Sequence, residues 1–155
     1  MYNCFAISNC IIDTFKEKKE RDITILALLK YLFFCYGWYL AEHEKELFEG
    51  RFTAFPLGPV IKTVYDGFDN SHKYGLYVVK TYKTDDSIPS EIKSFIKKTM
   101  DKYLDNNASL ELSDITHFPG SPWEQTVKER GFYYDIDASV IKEHFKRLSS
   151  ENLLC

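Results

Sequence analysis

Apolar residues recur at helical spacing along most of the chain. Phe5, Ile7, Ile11, Ile12 and Phe15 fall on one face of residues 3–16, which predicts an amphipathic first helix. The Lys16-Glu17-Lys18-Lys19-Glu20 run after it reads as a solvated helix end or loop. Residues 23–41, ITILALLKYLFFCYGWYLA, are apolar on every face and carry a single charge, Lys30. Asp22 stands where an N-cap for that helix is expected, because its carboxylate can accept from free N–H groups of the first turn.

Beyond residue 41 the pattern breaks into shorter pieces. Leu47 to Phe52 suggests a short extended stretch, and Phe55-Pro56-Leu57-Gly58-Pro59-Val60 a turn. Pro59 is placed to open a helix through Val60, Ile61, Val64, Tyr65 and Phe68. Residues 74–83, YGLYVVKTYK, form the best strand candidate. In residues 89–105, Ile92, Phe95, Ile96, Met100, Tyr103 and Leu104 again share a helical face. Residues 110–117 read as a short helix or a loop, and a helix follows from Pro122 to about Arg130, with Gly131 as its stop. Tyr133 to Ile136 is a second short strand candidate, and Asp137 caps a last helix through Val140, Ile141, Phe145 and Leu148. The expected fold is mainly α (α+β). It is a single compact domain over residues 1–155, with five to six helices around a central apolar helix and two or three short strands.

Composition supports a globular chain. Its 155 residues are 45% hydrophobic and 28% charged, the balance of a folded chain with a proper core. Aromatics reach 16%, with 11 Tyr and 12 Phe, more than a core of this size needs, which leaves aromatic surface for a partner. The net charge of −3 and the interleaving of lysines with acids give no basic stripe, so nucleic-acid binding is not expected. Cys4, Cys10, Cys35 and Cys155 form no CxxC pair, which points to reduced thiols and a cytoplasmic location. The N-terminus has neither the basic region nor the small-residue cleavage site of a signal peptide.

The segment 23–41 is also long enough to cross a bilayer. Its nine Leu, Ile and Phe residues contribute roughly −3 to −5 kcal/mol to insertion. A near-central lysine costs about +2.5 to +3.5 kcal/mol, and Thr24, Gly37 and the tyrosines take back more. Hydropathy therefore does not decide the matter. No other segment supports a membrane protein, and an all-apolar helix is what the centre of a helical fold requires, so the buried reading is favoured.

Candidate chemistry is thin. His43 and His144 lie in polar helical contexts, His72 in a polar turn, and no pair has the HExxH spacing of a metal site. There is no GxSxG elbow, P-loop or GxGxxG fingerprint, and Cys35 is embedded in apolar sequence where a thiol is inert. No catalytic residue, metal or cofactor is expected. Ser121-Pro122-Trp123-Glu124 is a capping box with proline at the first helical position, after a Pro119-Gly120 turn. That leaves His117 and Trp123 without an assigned role.

Three features in order resemble a known family: Lys30 inside an apolar aromatic helix, Gly58-Pro59-Val60 with Tyr65 soon after, and Thr116-His117 followed by Pro122-Trp123. Together they are similar to the Panacea domain, the SocA-like antitoxin family that includes phage-associated GepA-like proteins. The match runs from about Asp22 to Phe145. Two positions depart from the usual pattern: Phe33 where a tyrosine is common, and Leu29 where a polar residue commonly precedes the lysine. The resemblance implies an antitoxin that binds and neutralises a cognate protein toxin, usually encoded by an adjacent gene and often on a mobile element. It also implies that the apolar helix is the core of a soluble domain. The residues leave a second reading open, an enzyme or small-ligand protein whose pocket gathers Lys30, Tyr65, His117 and Trp123.

Overall fold

A computed structural model describes residues 1–68, 77–105 and 109–155, with the side chains of residues 109 and 110 excepted. Among these it holds seven helices and one two-stranded sheet. Helix α1 (Cys4–Lys19) starts at Asn3, whose Oδ1 accepts from the Phe5 and Ala6 amides at 2.8 and 3.3 Å. Three lysines in its last turn suit the negative end of the helix dipole. The charged run expected to be a solvated end thus continues the helix for another turn.

Helix α2 (Ile25–His43) is the axis of the molecule: α1, α4 (Ser90–Asp101), α5 (Ser109–Thr116) and α7 (Ala138–Glu151) all pack against it. Fifteen of its 19 residues are buried, so its apolar circumference faces protein on all sides. Burying each such Leu, Ile or Phe contributes about 1.5–3 kcal/mol, the drive that gathers the other helices around it. Its N-cap is Thr24, whose hydroxyl accepts from Ala27 N at 3.2 Å, and not the expected Asp22. Asp22 instead pairs with Lys16 and Lys80. Gly37 allows α7 to come close, because a Cβ there would lie 2.1 Å from the Phe145 ring.

The GPV segment departs most from expectation. Strands β1 (Phe52–Phe55) and β2 (Gly58–Ile61) form an antiparallel hairpin around a Pro56-Leu57 turn, with Ala54 opposite Pro59. Pro59 therefore lies in a strand, and helix α3 (Lys62–Gly67) opens only after it. Antiparallel pairs alternate between those that exchange hydrogen bonds and those that do not. Ala54 turns its N–H and C=O outward, to Tyr134 O at 2.9 Å and Tyr133 N at 2.7 Å. Its partner Pro59 likewise faces outward, where the missing N–H costs the ladder nothing. Residues 133–136 flank β1 through these bonds and one from Ile136 N to Phe52 O at 2.7 Å, as an extended segment with a single bridge, Thr53 to Asp135.

Of the strand expected at 74–83, residues 74–76 lie outside the described residues. The rest is extended and touches residues 23–25 through one bridge, Thr24 to Val78. Helix α6 (Pro122–Arg130) has the bounds its capping signal predicts, and Ser121 Oγ accepts from Glu124 N at 3.1 Å. The reciprocal bond differs: the Glu124 carboxylate takes the Gly120 amide at 3.2 Å, while the Ser121 amide donates to Phe118 O at 2.9 Å.

Candidate functional site

The three sequence features that lie far apart in the chain meet at the β1–β2 hairpin: the Gly58-Pro59-Val60 feature forms its second strand, and the other two hold it from outside. Lys30, on α2, is fully buried, and its Nζ donates to Pro59 O at 2.9 Å. His117, one residue past α5, engages the Leu57 backbone. Trp123, in the first turn of α6, donates from Nε1 to Phe55 O at 2.7 Å. Pro59 and Phe55 are thereby tied to α2 and α6, and His117 stands beside Leu57 between them. The His117 and Trp123 rings stack at 3.8 Å and 9°, so the last two ties brace each other.

Gly58 sits at the tightest point. Its φ of 115° lies in the region that favours glycine, and a Cβ there would meet Thr116 Oγ1 at 2.6 Å and Lys30 Cε at 2.9 Å. Thr116 is buried and donates to Ser113 O at 2.7 Å, which turns its hydroxyl toward α5 and lets it pack on the glycine. Pro122 is buried at the start of α6, and its carbonyl accepts from Thr126 Oγ1 at 2.9 Å.

The electrostatics favour neutral groups. Burial pulls the Lys30 ammonium down to about 7. Burial, followed by the Lys30 charge, lowers the His117 pKa below the ordinary imidazole range. His117 Nε2 and Ser113 Oγ are buried without a protein hydrogen-bond partner. One carbonyl is a small return for a desolvated amine, so this layer is a costly way to fix a loop.

Tyr65 and Val60 belong to the other side of the hairpin. They line a groove of about 390 Å³ with Leu26 and Leu29 of α2, the turn residues Pro56 and Leu57, and Tyr133. Lys30, His117 and Trp123 do not line it, so this groove does not gather the four residues of the alternative pocket. The two departures from the family pattern have separate places. Leu29 is in the groove floor, and Phe33 packs edge-on against Phe52 and Phe145 at 5.2 and 5.5 Å.

The remaining histidines lie elsewhere. His43 is exposed at the end of α2, beside the Tyr39 ring at 4.3 Å. His144 on α7 is half-buried rather than solvated, and burial with the Arg147 charge brings it to about 4. His72 lies outside the described residues.

Sequence reasoning missed the aromatic run Phe132-Tyr133-Tyr134. Tyr133 and Tyr134 fall in the strand expected at 133–136, with Phe132 just before it, and all three rings are exposed, by 46, 63 and 49%. Tyr133 adopts a φ of 70°, uncommon for a bulky residue, and its ring meets Phe55 edge-on at 5.1 Å. Three aromatics in succession directly after Gly131, without alternation, were the available signal.

The family described as "Antitoxin SocA-like, Panacea domain" matches residues 28–124, a span that contains all three ties. The chain is also similar to Antitoxin SocA of Caulobacter vibrioides (strain NA1000 / CB15N), 28% identical over 91% of this chain and 81% of that protein. No solved structure matches.

Proposed function

Given that the chain belongs to the SocA-like antitoxin family with a Panacea domain, we propose that it is a non-enzymatic antitoxin that neutralises a partner toxin by binding it directly. The observation that carries this reading is the family match, which spans Lys30, the hairpin, Thr116-His117 and Trp123 together. On this reading the chain acts as one domain in the cytoplasm, its toxin is encoded by an adjacent gene, and it does not bind nucleic acid. The core role of α2 fits a soluble binder, since 83% of its most apolar window is buried within the protein.

The buried Lys30 tie suits a binder better than a catalyst. A general acid or base must reach its substrate, whereas Lys30 is wholly enclosed and bonded to a backbone carbonyl. The test is expression of the neighbouring open reading frame with and without this chain. Growth arrest relieved by co-expression, with a stable complex on co-purification, is the expected result. A neighbour that is not toxic, or toxicity unrelieved by this chain, overturns the reading.

A further inference from the structure

We propose that the partner toxin docks in the apolar groove between the hairpin tip and the start of α2, through an uncharged, apolar segment. This rests on the antitoxin reading and names the surface it requires. The groove has a buried floor of Leu26, Leu29 and Val60 and an accessible rim of Leu57, Tyr65 and Tyr133. None of its lining residues carries a formal charge.

Among the described residues, three charged groups near the rim have partners within the chain. Lys62 pairs with Asp66 at 2.7 Å on either side of Tyr65, and Arg51 pairs with Asp135 at 3.5 Å. Arg130 lies over the Tyr134 ring at 5.0 Å. The uncharged lining offers a nucleic acid, an anionic membrane or a charged peptide no complementary charge, while an apolar segment loses little by covering it.

The surface extends past the groove itself. Phe132 continues the exposed aromatic area, its ring 6.4 Å from that of Tyr133, and Leu57 is 41% exposed at the hairpin tip. Clustered exposed apolar side chains mark interaction sites, and tyrosine is among the residues that most often dominate binding energy. A small molecule would fill the groove and leave that rim bare; a protein segment covers both.

Two further features favour a built surface over incidental exposure. Tyr133 holds its ring at the rim from a left-handed backbone conformation, a strain that the bonds from residues 133–136 to β1 maintain. The tip residue Phe55 is tied from beneath by Trp123, so the groove wall is set before a partner arrives, which lowers the ordering cost of binding.

The test uses purified toxin from the adjacent gene, if it arrests growth, and three full-length variants. Leu57→Glu places a charge on the rim. Tyr133→Asn removes the ring but keeps a residue that tolerates the left-handed conformation. Ser94→Glu, on the exposed face of α4, is the control. Leu57→Glu and Tyr133→Asn are expected to weaken binding by about tenfold or more and to lose growth rescue, while Ser94→Glu binds like wild type. Wild type that binds and rescues alongside two groove variants that do the same overturns the groove and leaves the antitoxin reading standing. Wild type that neither binds nor rescues overturns the antitoxin reading itself. A wild-type dimer in sedimentation equilibrium that Leu57→Glu converts to monomer, without toxin present, assigns the groove to a second copy and overturns the proposal. Tyr133→Asn keeps the test decisive if Leu57→Glu does not fold.

Discussion

The two sides of the β1–β2 hairpin are built on opposite principles. Beneath it, Lys30 and Trp123 spend polar groups on the backbone carbonyls of Pro59 and Phe55, with His117 beside Leu57 and Thr116 packed on Gly58. Above it, Leu57, Tyr65 and Tyr133 leave apolar surface in contact with water. Each arrangement is unfavourable taken alone: buried polar groups lose hydration, and exposed rings order water. Together they describe a rigid support under an exposed apolar face. The residues that carry the family resemblance lie mostly in the support, so sequence similarity reports the scaffold more directly than the surface a partner meets.

The most severe way to break the support is Lys30→Ala. It opens a cavity beside α2 and leaves Pro59 O buried without a donor. Cavity and lost hydrogen bond together are expected to cost about 3–5 kcal/mol in chemical denaturation. A loss below about 1 kcal/mol would mean that the hairpin does not depend on this tie. Gly58→Ala comes next, at about 2–3 kcal/mol, because the added methyl meets Thr116 and Lys30 and the backbone is strained for any L side chain.

The support was partly legible in the sequence and the surface hardly at all. Helices α1, α2, α4, α6 and α7 follow from apolar periodicity and capping residues, which are local signals. Pro59 was misplaced because a proline after a glycine resembles a helix start. Its strand role depends on Ala54 facing away from β2, and on Lys30 approaching from 29 positions earlier. Lys30, Gly58, His117 and Trp123 stand out as motif members, but nothing local shows that they converge on one hairpin. The groove draws on α2, the hairpin, α3 and residue 133, and no periodicity links residues so far apart.

Lys30 also gives the support a pH dependence that the surface lacks. Its folded pKa is about 7 against an ordinary 10.5. Between those values the unfolded chain holds the proton and the folded chain does not, so stability rises with pH through this window. Lys30→Met keeps the length of the side chain and removes the titration. Wild-type stability measured relative to Lys30→Met is therefore expected to increase from pH 7.5 to 9, at up to about 1.4 kcal/mol per unit. Cys35 and the buried tyrosines are common to both proteins, so the difference isolates the lysine. A flat difference would show the amine charged and paired in the folded state.

The smallest effect on stability should come from the other side. Tyr133→Asn removes a ring that is 63% exposed, so little burial is lost. Asparagine accepts a φ of 70° more readily than tyrosine, which returns part of the lost contact with Phe55. The expected change is within about 0.5 kcal/mol, read as an unchanged denaturation midpoint and slope. A loss of 2 kcal/mol or more would place Tyr133 in the support, as a lock on residues 133–136 against β1, and the division between the two sides of the hairpin would fail at that residue. An unchanged midpoint leaves the strained, exposed ring without a role in folding.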